Sequence, residues 1–173
     1  SIEEDVYHLS KISERFSKIG SKPNLIKINL SQIITDIITY MKNRLPQNSK
    51  IDIKYIGSNN NNIKGDSLLI RWAIENLIKN SIDAIEMDEG RINISLFKNN
   101  YNYFIDINDS GRGINRSDWK KIFNPGYSSK KRGWGLGLSL TQRIIKEIHK
   151  GSIRVHHSKL GSTTIRIEIP LIK

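Results

Sequence analysis

Apolar side chains recur along this chain at two spacings, and the alternation between them marks out the elements. Ile2, Val6, Leu9, Ile12, Phe16 and Ile19 are separated by three or four residues, predicting an amphipathic helix over 2–19 with one stripe turned to a partner; Gly20, Ser21 and Pro23 stop it. A second helix is expected from Ser31, taken as its N-cap, through Ile33, Ile34, Ile37, Ile38 and Met41 to Pro46. Ile51, Ile53 and Tyr55 then alternate with polar residues as a half-buried strand, and Gly57-Ser58 with the four following asparagines form its turn. Residues 67–87 return to helical spacing. Two alternating strands follow, Arg91–Lys98 and Tyr101–Asn108, joined at Asn99-Asn100. A short helical stretch near Asp118–Phe123 and a helix from Leu136 to about His149, ended by Gly151, precede two last strands around Ile153-Val155 and Ile165–Ile169.

Five strands interspersed with helices that are apolar on one side only imply a two-layer sandwich whose sheet is covered on one face. The first helix has no evident place in it. No apolar run exceeds five residues, far below the ~18 that span a bilayer, and no signal peptide opens the chain. Cysteine is absent, which excludes a disulfide frame, a thiol nucleophile and cysteine metal ligands, and is compatible with a reducing compartment.

Charge changes the picture through its position. The net +11 arises entirely in residues 111–173, where 14 basic groups face 3 acidic ones; residues 1–110 hold 14 of each. That imbalance fits either a solvated basic surface or a site for a polyanion.

Three segments carry candidate chemistry. On a helical wheel of residues 67–87, Ile70, Ala73, Ile74, Leu77, Ile78, Ile82 and Ile85 fill one half, while Asn76, Asn80 and Asp83 stack in a row on the other. Such oxygens suit a hard cation like Mg²⁺, and equally a solvated polar face. Asp109-Ser110-Gly111-Arg112-Gly113 leaves the end of a strand: a carboxylate there can accept from an exocyclic amine, and glycines let backbone approach a flat ring, though the same pattern also makes plain turns. Gly133-Trp134-Gly135-Leu136-Gly137-Leu138 runs into a helix behind Lys130, Lys131 and Arg132, forming a phosphate cradle or a hinge; it is neither a Walker loop nor a dinucleotide fingerprint. The 27 residues from Asp109 to Gly135 are long for a loop unless they bind something.

In this order the segments resemble the GHKL superfamily of ATP-binding domains, and within it bacterial sensor histidine kinases, most of all those of nitrogen-regulation type. Gly65-Asp66 with Asn76-Leu77-Ile78-Lys79-Asn80-Ser81 resembles the asparagine box, and Ile122 through Lys130 the phenylalanine box and the serine/threonine-lysine segment. Gly135-Leu136-Gly137-Leu138 is similar to the second glycine box, and Ser162-Thr163-Thr164 before Ile169-Pro170 to the closing strand. The resemblance covers residues 23–173 and implies an α+β catalytic domain with a mixed five-stranded sheet. It also implies ATP and Mg²⁺ as ligands: Asn80 on the metal, Asn76 and Asp83 near the phosphates, Asp109 with Thr163 on the adenine amine, Gly111, Gly113 and Ile114 around the base. Lys130, Gly133, Gly135, Leu136, Gly137 and Leu138 would hold the phosphates, and Phe123 would anchor a lid.

Residues 1–22, with Leu9-Ser10-Lys11-Ile12 and Phe16-Ser17 ahead of Lys22-Pro23, resemble the second helix of the family's dimerisation hairpin. The phosphoacceptor histidine would then lie on a helix outside this chain. His8, followed by Leu9, Ser10 and Lys11 rather than an acidic residue, arginine and proline, is not expected to be it. A homodimer through the hairpin, a response-regulator receiver domain as partner, no nucleic acid, and a cytoplasmic location, with or without an inner-membrane anchor elsewhere in the full-length protein, complete the expectation. Hydrolytic relatives place a glutamate four residues before the metal asparagine; here it is Asn76, and an amide is no general base. Asp83-Ala84 departs from the basic-aromatic pair common in sensor kinases. A nucleic-acid-directed GHKL ATPase and a degenerate non-catalytic module remain the alternatives.

Overall fold

A computed structural model describes residues 2–128 and 135–171, with the side chain of His8 also outside the description. The elements in order are α1 (Ile2–Gly20), β1 (Ile26–Asn29), α2 (Leu30–Arg44), β2 (Lys50–Gly57), β3 (Asn62–Gly65), α3 (Ser67–Ala84), β4 (Glu89–Lys98), β5 (Asn102–Asp109), 3₁₀ turns at Arg116–Asp118 and Lys121–Phe123, α4 (Gly137–Arg143), a π-helical turn Ile144–Ile148, β6 (Ser152–Lys159) and β7 (Ser162–Pro170).

The main sheet has five strands in the order β2-β4-β5-β7-β6, parallel between β2 and β4 and antiparallel elsewhere, so the mixed sheet is as expected. Strict alternation turns Tyr103, Ile105 and Ile107 of β5 and Ile165, Ile167 and Ile169 of β7 to one face, where they are buried. Ile34, Ile37 and Ile38 of α2, Ile70, Ile74 and Leu77 of α3, and Ile144-Ile145 cover that face. On the opposite face Arg166 makes a bidentate pair with Asp106 (2.7 Å and 2.7 Å) beside the stacked Phe97 and Phe104 rings.

Several boundaries differ from expectation, each for a physical reason. β1 and β3 form a separate antiparallel pair that four-residue segments with one or two isoleucines apiece did not reveal; it draws Asn62 out of the asparagine run into a strand. Asn61 is buried, donating from its amide to the Ser58 carbonyl (2.7 Å) while its own carbonyl accepts from Leu30 N–H (2.8 Å). Because β1 runs extended up to Asn29, that residue, not Ser31, caps α2: its Oδ1 accepts from Gln32 N–H (3.3 Å) and from the Ser31 hydroxyl (2.6 Å). α3 stops at Ala84 rather than Met87, since the Ala84 carbonyl accepts from Arg112 N–H (3.0 Å) and Ile85 turns extended into β4.

The last helix changes register. His149 N–H reaches the Ile144 carbonyl (3.2 Å), and the His149 ring donates to the same oxygen from Nδ1 (2.8 Å). The left-handed residue after it is Lys150 (φ 56°), not Gly151, which packs instead against β7. His149 is buried, its Nε2 accepting from Asp66 N–H (3.1 Å). Asp66 is the N-cap of α3, accepting from Leu69 N–H (3.2 Å) and, across the linker, from Asn24 N–H (3.0 Å). His156 and His157 are exposed on the edge strand β6.

α1 divides its apolar stripe. Ile12 and Ile19 turn toward the rest of the chain, while Ile2, Val6, Leu9 and Phe16 stay exposed. No helix among the described residues is long and apolar enough to cross a membrane.

Burial lowers the His149 pKa, with the Ile144 carbonyl and Asp66 opposing. A depressed folded pKa means the neutral ring's contribution is complete above the free histidine value of ~6.5 and is lost as pH falls through the folded value. Urea unfolding from pH 7.5 to 5.5 should therefore show stability decreasing with pH. His149→Gln should flatten that slope and unfold about 1–2 kcal/mol more easily at pH 7.5.

Candidate functional site

The face of α3 opposite the core forms one wall of a cavity of about 320 Å³. Asn76, Asn80 and Ala84, each one turn apart, line it together with Ser81. Asn76 is held: its Nδ2 donates to Thr141 Oγ1 (3.0 Å), whose hydroxyl donates to the Gly137 carbonyl (2.9 Å). A Cβ on Gly137 would run into Asn76 Oδ1, so glycine is what lets α4 begin against this amide. Asp83, although in the same helical row, is exposed and does not line the cavity. The chain after β5 meets the end of α3, with Arg112 donating from Nη1 to the Asp83 backbone carbonyl (3.2 Å).

Asp109 continues the inward parity of β5 one step past Ile107, placing a carboxylate where the core's next apolar side chain would stand. It pairs with Thr163 across β5 and β7, and both line the cavity. Asp109 is only 5% exposed and accepts from Gly111 N–H (2.9 Å). Burial raises its pKa, against the opposing influence of Gly111 N–H, the Ser81 hydroxyl and the Arg112 charge.

Gly111 itself is buried against Ala84, where a Cβ would stand 2.6 Å from the carbonyl oxygen; it fixes the loop without lining the cavity. Gly113 lines it, at φ +85° against the Lys159 backbone. Ile114 follows, its N–H donating to Ser158 Oγ (2.7 Å), which in turn lies 2.7 Å from Thr163 Oγ1. Phe123 is buried in the core and does not line the cavity, a place taken by Ile122.

Gly135, Leu136, Gly137 and Leu138 form the far wall. Gly126 N–H donates to the Gly135 carbonyl (3.0 Å). Lys130 and Gly133 lie outside the described residues. Wall residues the sequence did not single out include Ala84, Arg112 and Tyr127, and, from α1, Ile12 and Arg15. A third position of the asparagine row, one turn past Asn80, points to Ala84, but nothing in the pattern marks α1.

Among the described residues no cluster of three or more histidine, cysteine or carboxylate groups could hold a metal ion, so a cation here would need oxygens from a bound ligand. The amide row, the buried carboxylate and the glycine turn thus surround one volume. The model of histidine kinase-, DNA gyrase B- and HSP90-like ATPases matches residues 65–173, which supply every wall of the cavity except α1.

The chain belongs to this family.

Over 108 residues it is 40% identical to sporulation kinase B of Bacillus subtilis (strain 168), an alignment covering 62% of this chain and 25% of that protein. To the signal transduction histidine-protein kinase AtoS of Escherichia coli (strain K12) it is 36% identical over 110 residues, 63% of this chain and 18% of the relative. The chain therefore spans about a quarter or less of these relatives' length. The catalytic domain of histidine kinase ThkA superposes with a TM-score of 0.74 at 24% identity, over 85% of this chain and 95% of that one. ThkA in complex with response regulator protein TrrA gives 0.78 at 20% identity, over 99% and 49%. These likenesses establish the α+β fold.

Asp109 is a buried carboxylate on this cavity, and its ionisation bears on stability. Its raised pKa means the ligand-free fold is favoured below the ordinary carboxylate range and loses stability as pH rises through the folded value. Asp109→Asn keeps an acceptor for Gly111 N–H and removes the buried charge. We expect it to melt at or above the wild-type temperature at pH 7.5 while losing the further rise that ATP produces, measured by thermal unfolding with and without nucleotide.

Proposed function

We propose that residues 23–173 are the ATP-binding catalytic domain of a sensor histidine kinase and that residues 1–22 are the second helix of its dimerisation hairpin. The observation that carries the reading is the common cavity of Asp109, Thr163, Asn76, Asn80 and the Gly135–Leu138 turn. In it, Asp109 accepts from the adenine amine, with Thr163 beside it, and the Gly113-Ile114 backbone lies against the base. Gly111 and Asp83 act at a distance from the nucleotide, Gly111 by fixing the loop. The backbone N–H groups of the Gly135–Leu138 turn, with Gly133 and Lys130, hold the phosphates.

Asn80 lines the cavity, and a donor set of one amide oxygen plus phosphates and waters suits Mg²⁺, which keeps several waters and takes few protein ligands. Bound there, Mg²⁺ would neutralise charge on the phosphate oxygens. Asn76 stands where hydrolytic relatives carry the water-activating glutamate, and its amide is engaged by Thr141, so this wall holds no base for water. The reaction supported is then transfer: an imidazole nitrogen on a helix outside this chain attacks the γ-phosphorus, the bond to the β,γ-bridging oxygen breaks, and ADP leaves with the electron pair.

The exposed Ile2, Val6, Leu9 and Phe16 of α1 support a helix partner, as in a homodimer through the hairpin. The basic surface of residues 111–173 and the solved complex of ThkA with TrrA support a receiver domain as the next phosphoryl acceptor.

With a helix bearing the acceptor histidine restored upstream, labelled γ-phosphate should move from ATP to protein, and Asn80→Ala should slow that transfer about 100-fold or more. The 173-residue chain alone should release negligible phosphate in a steady-state assay. Sustained hydrolysis without phosphohistidine would overturn the reading.

A further inference from the structure

α1 is the one wall of the cavity that the family match does not include, and it contributes a cation. Arg15 lines the cavity with Ile12, one helical turn away on the same face. Its guanidinium is seated on the ring of Trp72, 4.0 Å from the centroid. Trp72 lies on α3 one turn before Asn76, so the helix presents Trp72, Asn76, Asn80 and Ala84 in a single row. Ala84, against Gly111, marks the end nearest Asp109; Trp72 is twelve residues away, about 18 Å along the axis. Arg15 thus sits beyond Asn76 at the end of the row remote from Asp109 and the base.

Its electrostatic surroundings favour an anion. Among the described residues no carboxylate forms an ion pair with Arg15, and Glu75, the acidic group that acts on it most strongly, is already paired with Arg71 at 2.9 Å. Burial lowers the Arg15 pKa, opposed by Glu75 and then by Tyr40 and Tyr7, but a guanidinium keeps its charge at any physiological pH. A half-buried cation seated over an aromatic ring can still offer N–H donors to a planar or tetrahedral oxyanion. Plain helix docking would be served as well by an apolar residue between Ile12 and Ile19.

Resting on the nucleotide reading of the cavity, we infer that Arg15 binds the terminal phosphates of ATP from the hairpin helix, so that nucleotide occupancy ties α1 to the catalytic domain. The triphosphate is the substrate-side partner; the dimer face of α1, with Ile2, Val6, Leu9 and Phe16, points elsewhere and stays available. ATP and ADP then differ in how firmly they hold the helix, because the anion nearest Arg15 is the one that transfer removes.

Calorimetric titration of the intact 173-residue chain with Mg-ATP, Mg-ADP and adenosine tests this, using wild type, Arg15→Ala and Arg15→Lys. Arg15→Ala should bind ATP about tenfold more weakly, ADP less affected and adenosine unchanged; Arg15→Lys should recover part of the ATP loss through its point charge. Equal ATP affinity in wild type and Arg15→Ala overturns the inference and leaves the cavity reading standing. A parallel loss for ATP and adenosine overturns it too, since that is the signature of a merely docked helix. If wild type binds none of the three, both the inference and the cavity reading fall.

Discussion

One helix faces two ways, and the rest of the molecule is arranged around that constraint. α3 packs Ile70, Ile74, Leu77 and Ile78 into the sheet on one side and turns Asn76, Asn80 and Ala84 to a cavity on the other. A shift of one residue would rotate the helix by about 100° and carry amides toward the core. Both ends are accordingly fixed by bonds from distant sequence. At the start, Asp66 caps the helix while His149 and Asn24 hold Asp66; at the finish, Arg112 N–H takes the Ala84 carbonyl. The same bonds that define the helix boundaries therefore bring the linker, the last helix and the loop after β5 to the site.

The site also carries a burden that the fold alone would not select. A buried carboxylate at the end of β5, with its pKa raised by desolvation, opposes folding at neutral pH and is only partly compensated by Gly111 N–H and Ser81. An apolar residue at that register would extend the core. A ligand amine would supply the missing donor, so the penalty is relieved when the cavity fills, which is how a binding site differs from a core of the same shape.

Much of this was legible in the residues. The helical wheel put Asn76 and Asn80 in one row, because burial enforces that period, whereas the place of Asp109 beside Thr163 followed from the family resemblance. Asp83 belonged to that row too, and misled, because periodicity cannot see the loop that meets the helix end. The end of α3 was overestimated for a related reason: Ile85 and Met87 prolong the apolar rhythm, and only the Arg112 bond to Ala84 breaks it. Phe123, expected to anchor a lid, is buried in the core together with Ile122, which also lines the cavity. β1 and β3 are too short for any period to register. The share of α1 in the site was hidden altogether, since an amphipathic stripe declares one partner and Arg15 lies on its flank.

The central claim is that the amide row of α3, the buried carboxylate of β5 and the glycine turn before α4 enclose one nucleoside triphosphate. A crystal structure of the chain grown with magnesium and a non-hydrolysable ATP analogue tests it most directly. The account predicts the adenine amine within hydrogen-bonding distance of Asp109, the base against Gly113, and the metal on the Asn80 amide oxygen. Nucleotide density anywhere outside this cavity, or a base placed away from Asp109 within it, would contradict the account.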